Sequence, residues 1–266
     1  MKAFARLLDS LAFESSRNAR EALLVDYFRR TPDPDRGYAL AALTGTLSFR
    51  AAKAALLKTL ISERSDPVLF ALSYDFVGDL SETIALMWPR PGSSETAAVR
   101  LSAVVEQLSA AGRADAPRLI ASWLDSLDET GRWALLKLVT GGLRVGVSAR
   151  LAKTALARLG SVPVDEIEDV WNTLKPPFVS LFAWVEGRAA KPESRDRAPF
   201  RPPMLAYPLD EARDFEQLAA GDFVAEWKWD GIRIQAAAGR DGEAWHRRLY
   251  SRSGDDITAA FPDLLE

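Results

Sequence analysis

One lysine near the end of this 266-residue chain stands in a setting suited to chemistry. It is Lys228, within the stretch VAEWKWDGIRIQAAA at residues 224–238. If the stretch forms strands, alternation places Glu226 and Lys228 on one face and the flanking tryptophans on the other, while Arg233 follows an Asp-Gly turn. An amine that is desolvated and lies beside other cations is more readily neutral, as nucleophilic attack requires. Lys228 is therefore a candidate nucleophile, with Glu226 and Arg233 beside it.

The same stretch also fits an ordinary exposed hairpin with a charged face, because most lysines on strands take part in no reaction. For three other features, a structural role is likewise weighed against a functional one. The SGDD run at residues 253–256 could bind a divalent metal, but it fits better a polar turn in which Asp255 or Asp256 caps the next helix. His246 is expected on a strand surface and not as a catalytic base, and the eight tryptophans are expected mainly to pack helices.

A second candidate site lies in the first half of the chain. From residue 130 to residue 164 there is no acidic side chain, and the stretch TGGLRVGVSARLAKTAL occupies residues 140–156 within it. Its glycines come before a helix that Ser148 is expected to cap, so backbone N–H groups near Gly146 could hold a phosphate. The cations of this region are Arg132, Lys137, Arg144, Arg150, Lys153 and Arg158. Arg144, Arg150 and Lys153 are the candidate DNA-binding side chains, and a plain loop between helices is the alternative.

Composition limits the class of protein. The chain has no cysteine and one histidine, which excludes disulfides, thiolate nucleophiles and sites built from several histidines. A net charge of −3 argues against a uniformly basic nucleic-acid binder but not against a local patch. No apolar run is long enough to cross a bilayer, and no signal peptide is evident. A cytoplasmic location without a membrane partner is the expectation.

The chain divides into three parts that differ in composition and in the spacing of apolar residues. Residues 1–190 have apolar side chains at helical spacing. Segments rich in proline, glycine and capping residues interrupt this spacing at intervals that predict roughly ten helices. Residues 191–203, KPESRDRAPFRPP, are rich in proline and charge and are predicted to be a linker. Residues 204–266 are predicted to hold a short helix near 210–220, then strands joined at Asp241-Gly242, and a last helix in DITAAFPDLLE.

The motifs of both candidate sites resemble those of one enzyme family. EWKWDGIRIQ (226–235, after Ala225) resembles the Lys-x-Asp-Gly-x-Arg motif of the covalent nucleotidyltransferases, namely ATP-dependent DNA ligases, RNA ligases and capping enzymes. RPPMLAYPL (201–209) resembles the stretch that precedes this lysine in DNA ligases, and LYSRSGDDITAAFPDLLE (249–266), with Arg252, resembles the motif that follows it. TGGLRVGVSARLAKTAL resembles a segment of their DNA-binding domain. The N-terminal half is similar to bacterial ligases of the cisplatin-damage-response type.

This resemblance implies a multidomain fold, α followed by α+β. An all-helical DNA-binding domain would precede the start of an ATP-grasp-like nucleotidyltransferase domain with an antiparallel sheet. The implied activity is ATP-dependent sealing of nicks in duplex DNA, in repair, replication or recombination, through AMP bound to Lys228. Glu226 would recognise adenine, Arg233 and Arg252 would hold phosphate and ribose, and Mg²⁺ would accompany ATP. A monomer is expected, and no metal ligand is assigned.

The resemblance also has a limit, because the later motifs and the OB-fold domain of the family are not found before residue 266. The chain is therefore expected to be the N-terminal portion of a ligase, binding nicked duplex but self-adenylating poorly. Two alternatives stay open: a DNA-binding fragment without catalysis, and a nucleotidyltransferase that acts on RNA. The helical domain disfavours RNA capping.

Overall fold

A computed structural model describes most of the chain as two compact units. The described residues are 1–49, 53–89, 98–193, 196–201, 208–252 and 254–265. One unit is Met1–Val164 with Leu174–Pro192, and the other is Asp165–Thr173 with Glu193–Glu266. Most of the RPPMLAYPL stretch and parts of the expected linker lie outside the described residues, and the boundaries 1–190, 191–203 and 204–266 stay a prediction.

The first 192 residues are helical wherever the structure describes regular elements. Their twelve α-helices are α1 (Lys2–Phe13), α2 (Arg17–Arg30), α3 (Asp35–Leu43), α4 (Ala54–Ser62), α5 (Pro67–Val77), α6 (Leu80–Met87), α7 (Leu101–Ala110), α8 (Ala116–Ser126), α9 (Glu129–Thr140), α10 (Ala149–Gly160), α11 (Val164–Trp171) and α12 (Val179–Val185). Within the part of the chain so described, every helix is too short or too polar to span a bilayer. The expectation of a mostly helical chain is confirmed.

Amphipathic helices build the core of the first unit. On α1, apolar side chains recur at helical spacing, and Phe4, Leu8 and Leu11 are fully buried. Helix α1 packs against α2 and α9, and α2 packs along α10. Phe28 of α2 meets Phe182 of α12 edge to face, with ring centroids 5.5 Å apart. The helices thus hold one another through apolar stripes, and α2 and α10 form one of the most extensive of these contacts.

A buried arginine joins three segments of this unit. Arg36, 5% exposed, donates to Asp33, to the carbonyl of Phe28 and, in a forked pair at 2.5 and 2.9 Å, to Glu186. Its guanidinium also lies 4.3 Å from the ring centre of Phe182. The hydrogen bond from Arg36 lowers the pKa of Glu186 to about 2. Since a buried cation is tolerated only when it is paired, this network fixes how these segments fit together.

The second unit contains a hairpin and a short helix. Helix α13 spans Glu211–Gln217. Strands β1 (Ile234–Asp241) and β2 (Ala244–Ser251) pair antiparallel, with Ile234 opposite Ser251 and Asp241 opposite Ala244. The turn between them uses Gly242 at φ +61°, as the Asp-Gly pair predicts. The predictions of the short helix and of this hairpin are confirmed.

Two predictions in this region are wrong. The last segment forms 3₁₀ turns at Thr258–Ala260 and Pro262–Leu265 and not an α-helix. Proline lacks an N–H and restricts the residue before it, so Pro262 interrupts the helix. Residues 223–233 form no strand, although their side chains alternate. A strand needs a neighbour for its backbone hydrogen bonds, and the structure shows none beside this segment among the described residues.

The approach to the hairpin is fixed by backbone contacts. The side chain of Gln235 accepts from the N–H of Arg201 at 2.7 Å and donates to its carbonyl at 2.8 Å. A Cβ at Gly239 would fall 1.6 Å from the carbonyl oxygen of Arg197, so the chain passes close over β1 there. The Tyr250 hydroxyl donates to Ala198 at 2.8 Å. Residues 197–201 therefore lie against the hairpin.

Candidate functional site

The segment that carries Lys228 is irregular and open to solvent. It runs from the 3₁₀ turn Ala220–Asp222 to the start of β1. Glu226, Lys228 and Arg233 are all exposed, and Trp227 and Trp229 are 87% and 85% exposed. Among the described residues, no hydrogen bond or ion pair joins the three charged side chains. The expectation that Glu226 and Lys228 share one face of a strand is therefore wrong for this structure, because residues 223–233 form no strand, and the roles of the three side chains stay a prediction.

Two of the predicted arginines are the residues next to the terminal pair of the hairpin ladder. Ile234 and Ser251 are the terminal pair of the ladder, so Arg233 and Arg252 are the next positions at the same open end. Both side chains are exposed. The Lys228 segment leads directly into this end.

The acidic pair after β2 serves local structure. Asp255 accepts from the Ser251 hydroxyl at 3.0 Å. Asp256 accepts from the N–H of Thr258 at 3.0 Å and from Arg248 at 2.6 Å, and hydrogen bonding with Thr258 is the main cause of its lowered pKa. No cluster of three metal-ligating side chains is found in the described ranges. This geometry agrees with the polar-turn interpretation of the SGDD run. His246 lies exposed on β2, as expected.

The glycine-rich loop lies between α9 and α10, as its sequence predicts. Gly141 ends α9 at φ +70°, and Ser148 caps α10 by accepting from the N–H of Leu151 at 3.1 Å. Gly146, between them, also has φ +70°. Arg144 and Arg150 flank this glycine and are exposed. A helix N-terminus with two free-standing arginines can attract an anion, and a run of phosphates fits such a surface.

Three cations of the acid-free region have structural roles instead. Arg132 is 3% exposed and donates to the carbonyls of Leu124 and Trp88. Lys137 pairs with Asp79 at 2.5 Å. Arg158 pairs with a glutamate of α2, Glu21, at 3.1 Å.

Lys153, expected to contact DNA, is only 7% exposed. It shares the buried face of α10 with Ala152 and Leu156, and this face packs toward the protein interior. The side chain that sequence spacing places near Arg150 therefore points away from solvent. The surface available for a phosphate reduces to Arg144, Arg150 and the backbone around Gly146.

One residue near this loop is not predicted by any motif. Arg20, on α2, donates to the carbonyl of Gly146 at 3.2 Å across 126 positions of sequence. Ser16 in the stretch around it caps α2, but no pattern in the sequence marks Arg20 as a contact of the loop. Only the packing of α2 along α10 brings it to the loop.

Comparison with known proteins identifies similar sequences. Residues 203–266 match the family model described as ATP dependent DNA ligase domain. A probable DNA ligase of Anaeromyxobacter sp. (strain Fw109-5) is 33% identical over 201 residues, which cover 71% of this chain and 37% of that protein. DNA ligase 1 of Korarchaeum cryptofilum (strain OPF8) is 28% identical over 295 residues, covering 100% of this chain and 50% of that protein. A probable DNA ligase of Beutenbergia cavernae is 28% identical over 279 residues, covering 97% and 48%.

The chain thus spans between 37% and 50% of the length of these three relatives. The resemblance that the motifs indicated is confirmed, and it extends well beyond the segment that the family model matches.

Proposed function

Since this chain resembles ATP-dependent DNA ligases along most of its length, we propose that it acts in a ligase that seals nicks in duplex DNA through AMP bound covalently to Lys228. One observation carries the proposal. Lys228 is the only lysine in residues 203–266, the range that matches the ligase domain model, and it stands in Lys-x-Asp-Gly-x-Arg. A ligase domain that uses a lysine nucleophile therefore has one candidate within this range.

The chemistry has three steps. The neutral amine of Lys228 attacks the α-phosphorus of ATP, the bond to the β-phosphate oxygen breaks, and pyrophosphate leaves while a lysine-AMP phosphoramidate forms. A 5′-phosphate oxygen at the nick then attacks the same phosphorus, which frees the lysine and gives an adenylated DNA end. The adjacent 3′-hydroxyl, losing its proton, attacks the DNA phosphorus and AMP leaves. A phosphodiester results, at the cost of one ATP.

The exposed arginines supply charge for this chemistry. Arg233 and Arg252, at the open end of the hairpin, would hold the phosphate and ribose of the nucleotide and stabilise the charge that develops at phosphorus. Glu226, two residues before the lysine, would accept a hydrogen bond from the adenine amino group. A bound nucleotide would cover part of residues 223–233, whose side chains are exposed.

The helical unit would grip duplex DNA by its backbone. Arg144 and Arg150 are the exposed cations of the glycine-rich loop and the helix that follows it, and they would contact phosphates without reading bases. A nick has no defined sequence, so contacts that ignore sequence suit the task. We propose repair, replication or recombination as the setting and a monomer as the acting form.

Mg²⁺ is proposed to accompany ATP, since a polyphosphate under attack needs its charge neutralised. The described residues do not form a fitting site: Asp255 and Asp256 are engaged in the turn after β2, and no cluster of three ligating side chains is found there.

Adenylation at Lys228 is tested by labelling with ATP carrying radioactive α-phosphate. The 266-residue chain and the whole protein that its gene encodes are assayed in parallel with Lys228→Arg, which keeps the charge but removes the amine nucleophile. Lys191→Arg, at an exposed lysine, is the matched control. We expect acid-labile label on the whole protein and on the control, and at least a hundredfold less on Lys228→Arg. Equal labelling of Lys228→Arg would refute the assignment, as would a whole protein that takes no label.

A DNA-binding module without catalysis is the second candidate function. The exposure of Lys228 and of the side chains around it in residues 223–233 favours it. Binding of nicked duplex without any lysine-AMP in the whole protein would support this alternative. An RNA-joining activity is separated from DNA ligation by offering nicked DNA and nicked RNA in competition.

A further inference from the structure

Arg20 lies against the glycine-rich loop and is not part of any motif that the proposed function uses. We infer that Arg20 is a positioning residue for DNA binding, which fixes the backbone of residues 141–148 so that Arg144 and Arg150 face the phosphates together. The inference rests on the proposed DNA-binding function of this loop.

The contact between Arg20 and Gly146 is direct and sterically selective. One guanidinium nitrogen donates to the Gly146 carbonyl at 3.2 Å. A Cβ at position 146 would lie 2.5 Å from the guanidinium carbon, closer than non-bonded atoms approach. Gly146 also has φ +70°, a conformation that side chains other than glycine rarely adopt. The positive φ therefore favours glycine and allows the turn that brings the carbonyl to Arg20, whereas a Cβ would require the flexible end of Arg20 to shift.

Other contacts fix the two ends of the loop. At its start, the N–H of Gly142 donates to the Lys137 carbonyl at 3.1 Å, and Lys137 itself pairs with Asp79. At its end, Ser148 caps α10. The contact from Arg20 is made at the carbonyl between Arg144 and Arg150, so it acts on the backbone that sets the relative placement of the two arginines.

Helix α2 is well anchored for this task. Glu21, the residue after Arg20, pairs with Arg158 of α10 at 3.1 Å, and the two helices pack along each other. Adjacent residues of α2 therefore hold both the loop and the helix that follows it. Movement of the loop relative to α10 would break one contact while leaving the other in place.

The partial burial of Arg20 against the loop is not explained by stability alone. The Nε atom of Arg20 is buried and has no hydrogen-bond acceptor among the described residues. A buried N–H without an acceptor costs free energy, and an apolar side chain of similar length would avoid that cost. The hydrogen bond to the Gly146 carbonyl is what Arg20 contributes here and an apolar side chain would not.

The test separates positioning from direct phosphate contact by salt dependence. Binding of a fluorescent nicked duplex is titrated at several salt concentrations for the 266-residue chain and for Arg20→Met. A lost phosphate contact lowers the slope of log K against log salt by about 0.9. We expect about tenfold weaker binding, the effect of losing one charge-assisted hydrogen bond, with an unchanged slope. A slope lowered by about 0.9 together with unchanged amide exchange at residues 143–147 would make Arg20 a phosphate ligand and overturn the inference.

Three variants serve as comparisons. Arg30→Met removes a cation at the other end of α2, where it pairs with Asp26, and should bind as the parent does. Arg20→Lys keeps the charge but not the planar fork, so it should not restore binding; full rescue would show that charge alone matters. Gly146→Ala strains the loop directly because of the positive φ of Gly146, so it is the positive control for a distorted loop and should weaken binding at least as much as Arg20→Met.

A measurement without DNA keeps the inference independent of the proposed function. Amide hydrogen exchange at residues 143–147 should speed up at least fivefold in Arg20→Met, while exchange in the middle of α10 stays as in the parent. If the parent chain does not bind nicked duplex, the proposed function fails whatever this loop does. If the parent binds and Arg20→Met leaves both affinity and loop exchange unchanged, the inference about Arg20 fails alone.

Discussion

Replacing Arg144 and Arg150 together by methionine tests how the helical unit holds DNA. Both side chains are exposed and flank Gly146, whereas Lys137 and Arg158 of the same acid-free region are each paired with a carboxylate. Methionine keeps most of the side-chain length and removes the charge. The double variant therefore deletes the cations that the structure leaves available in this region, and it leaves the structural pairs intact.

The size of the effect follows from counting phosphate contacts. Each contact contributes about 0.9 to the slope of log K against log salt, so two contacts contribute about 1.8. Between about 50 and 200 mM salt, a fourfold rise, these two contacts account for about a twelvefold loss of affinity in the parent chain. The double variant should lack that part of the salt sensitivity, and its slope should be smaller by about 1.8.

The assay is fluorescence anisotropy with a nicked duplex and with an unrelated duplex of equal length. The double variant should lose affinity to a similar extent for both duplexes, because phosphate contacts carry no sequence information. Arg158→Met is the matched control from the same region, and its slope should equal that of the parent because Arg158 is paired with Glu21. A double variant with the parent's slope, or a control that loses as much as the double variant, would refute the assignment of the binding surface.

Two further predictions concern the framework around the sites. Glu186→Gln should lower the free energy of unfolding of the first unit by about 2 kcal/mol at neutral pH, since one pKa unit is worth about 1.4 kcal/mol and solvent screens a partly exposed carboxylate. Because hydrogen bonding by Arg36 lowers the pKa of Glu186 from 4.5 to about 2, that stabilisation is present above about pH 4.5 and is lost toward pH 2. Denaturant titrations should therefore show the difference in unfolding free energy between parent and Glu186→Gln becoming smaller below pH 4.5. A difference that stays the same down to pH 2 would contradict this pH dependence. The control is Asp26→Asn, in an exposed ion pair, which should change the unfolding free energy by no more than about 0.5 kcal/mol. Tyr250→Phe removes the hydrogen bond to Ala198 and should destabilise the hairpin by about 1 kcal/mol, seen as faster amide exchange in β1 and β2; unchanged protection would show that the hydroxyl contributes nothing.

Periodicity in the sequence predicted the elements whose side chains pack locally. The helical half, the cap at Ser148 and the Asp241-Gly242 turn follow from patterns within a few residues of each other. The Lys228 segment shows where such patterns fail. Its alternation suits a strand, but alternation describes only which side chains share a face, and a strand also needs a neighbour whose position a local pattern does not contain.

The candidate DNA surface was likewise predicted only in part from the sequence. The sequence located the acid-free region, but it could not separate Arg144 and Arg150 from Lys153, because burial depends on which face of α10 meets α2. Arg20 was not predicted because its contact with the loop is long-range in sequence. Its partner lies 126 positions away, and a contact of that range leaves no trace in a single sequence.

The open Lys228 segment also gives this protein its own optical reporter. Trp227 and Trp229, on either side of the lysine, are 87% and 85% exposed, while Trp88, Trp123 and Trp171 are each less than a tenth exposed. Water-exposed indoles emit at longer wavelength and are quenched by iodide, and buried indoles are shielded from it. Trp245, on β2, is also 56% exposed, so the red edge of the emission and the fraction that iodide removes come from Trp227, Trp229 and Trp245 together. Any molecule that settles over this lysine should shift that emission to the blue, without a label and before any chemistry occurs.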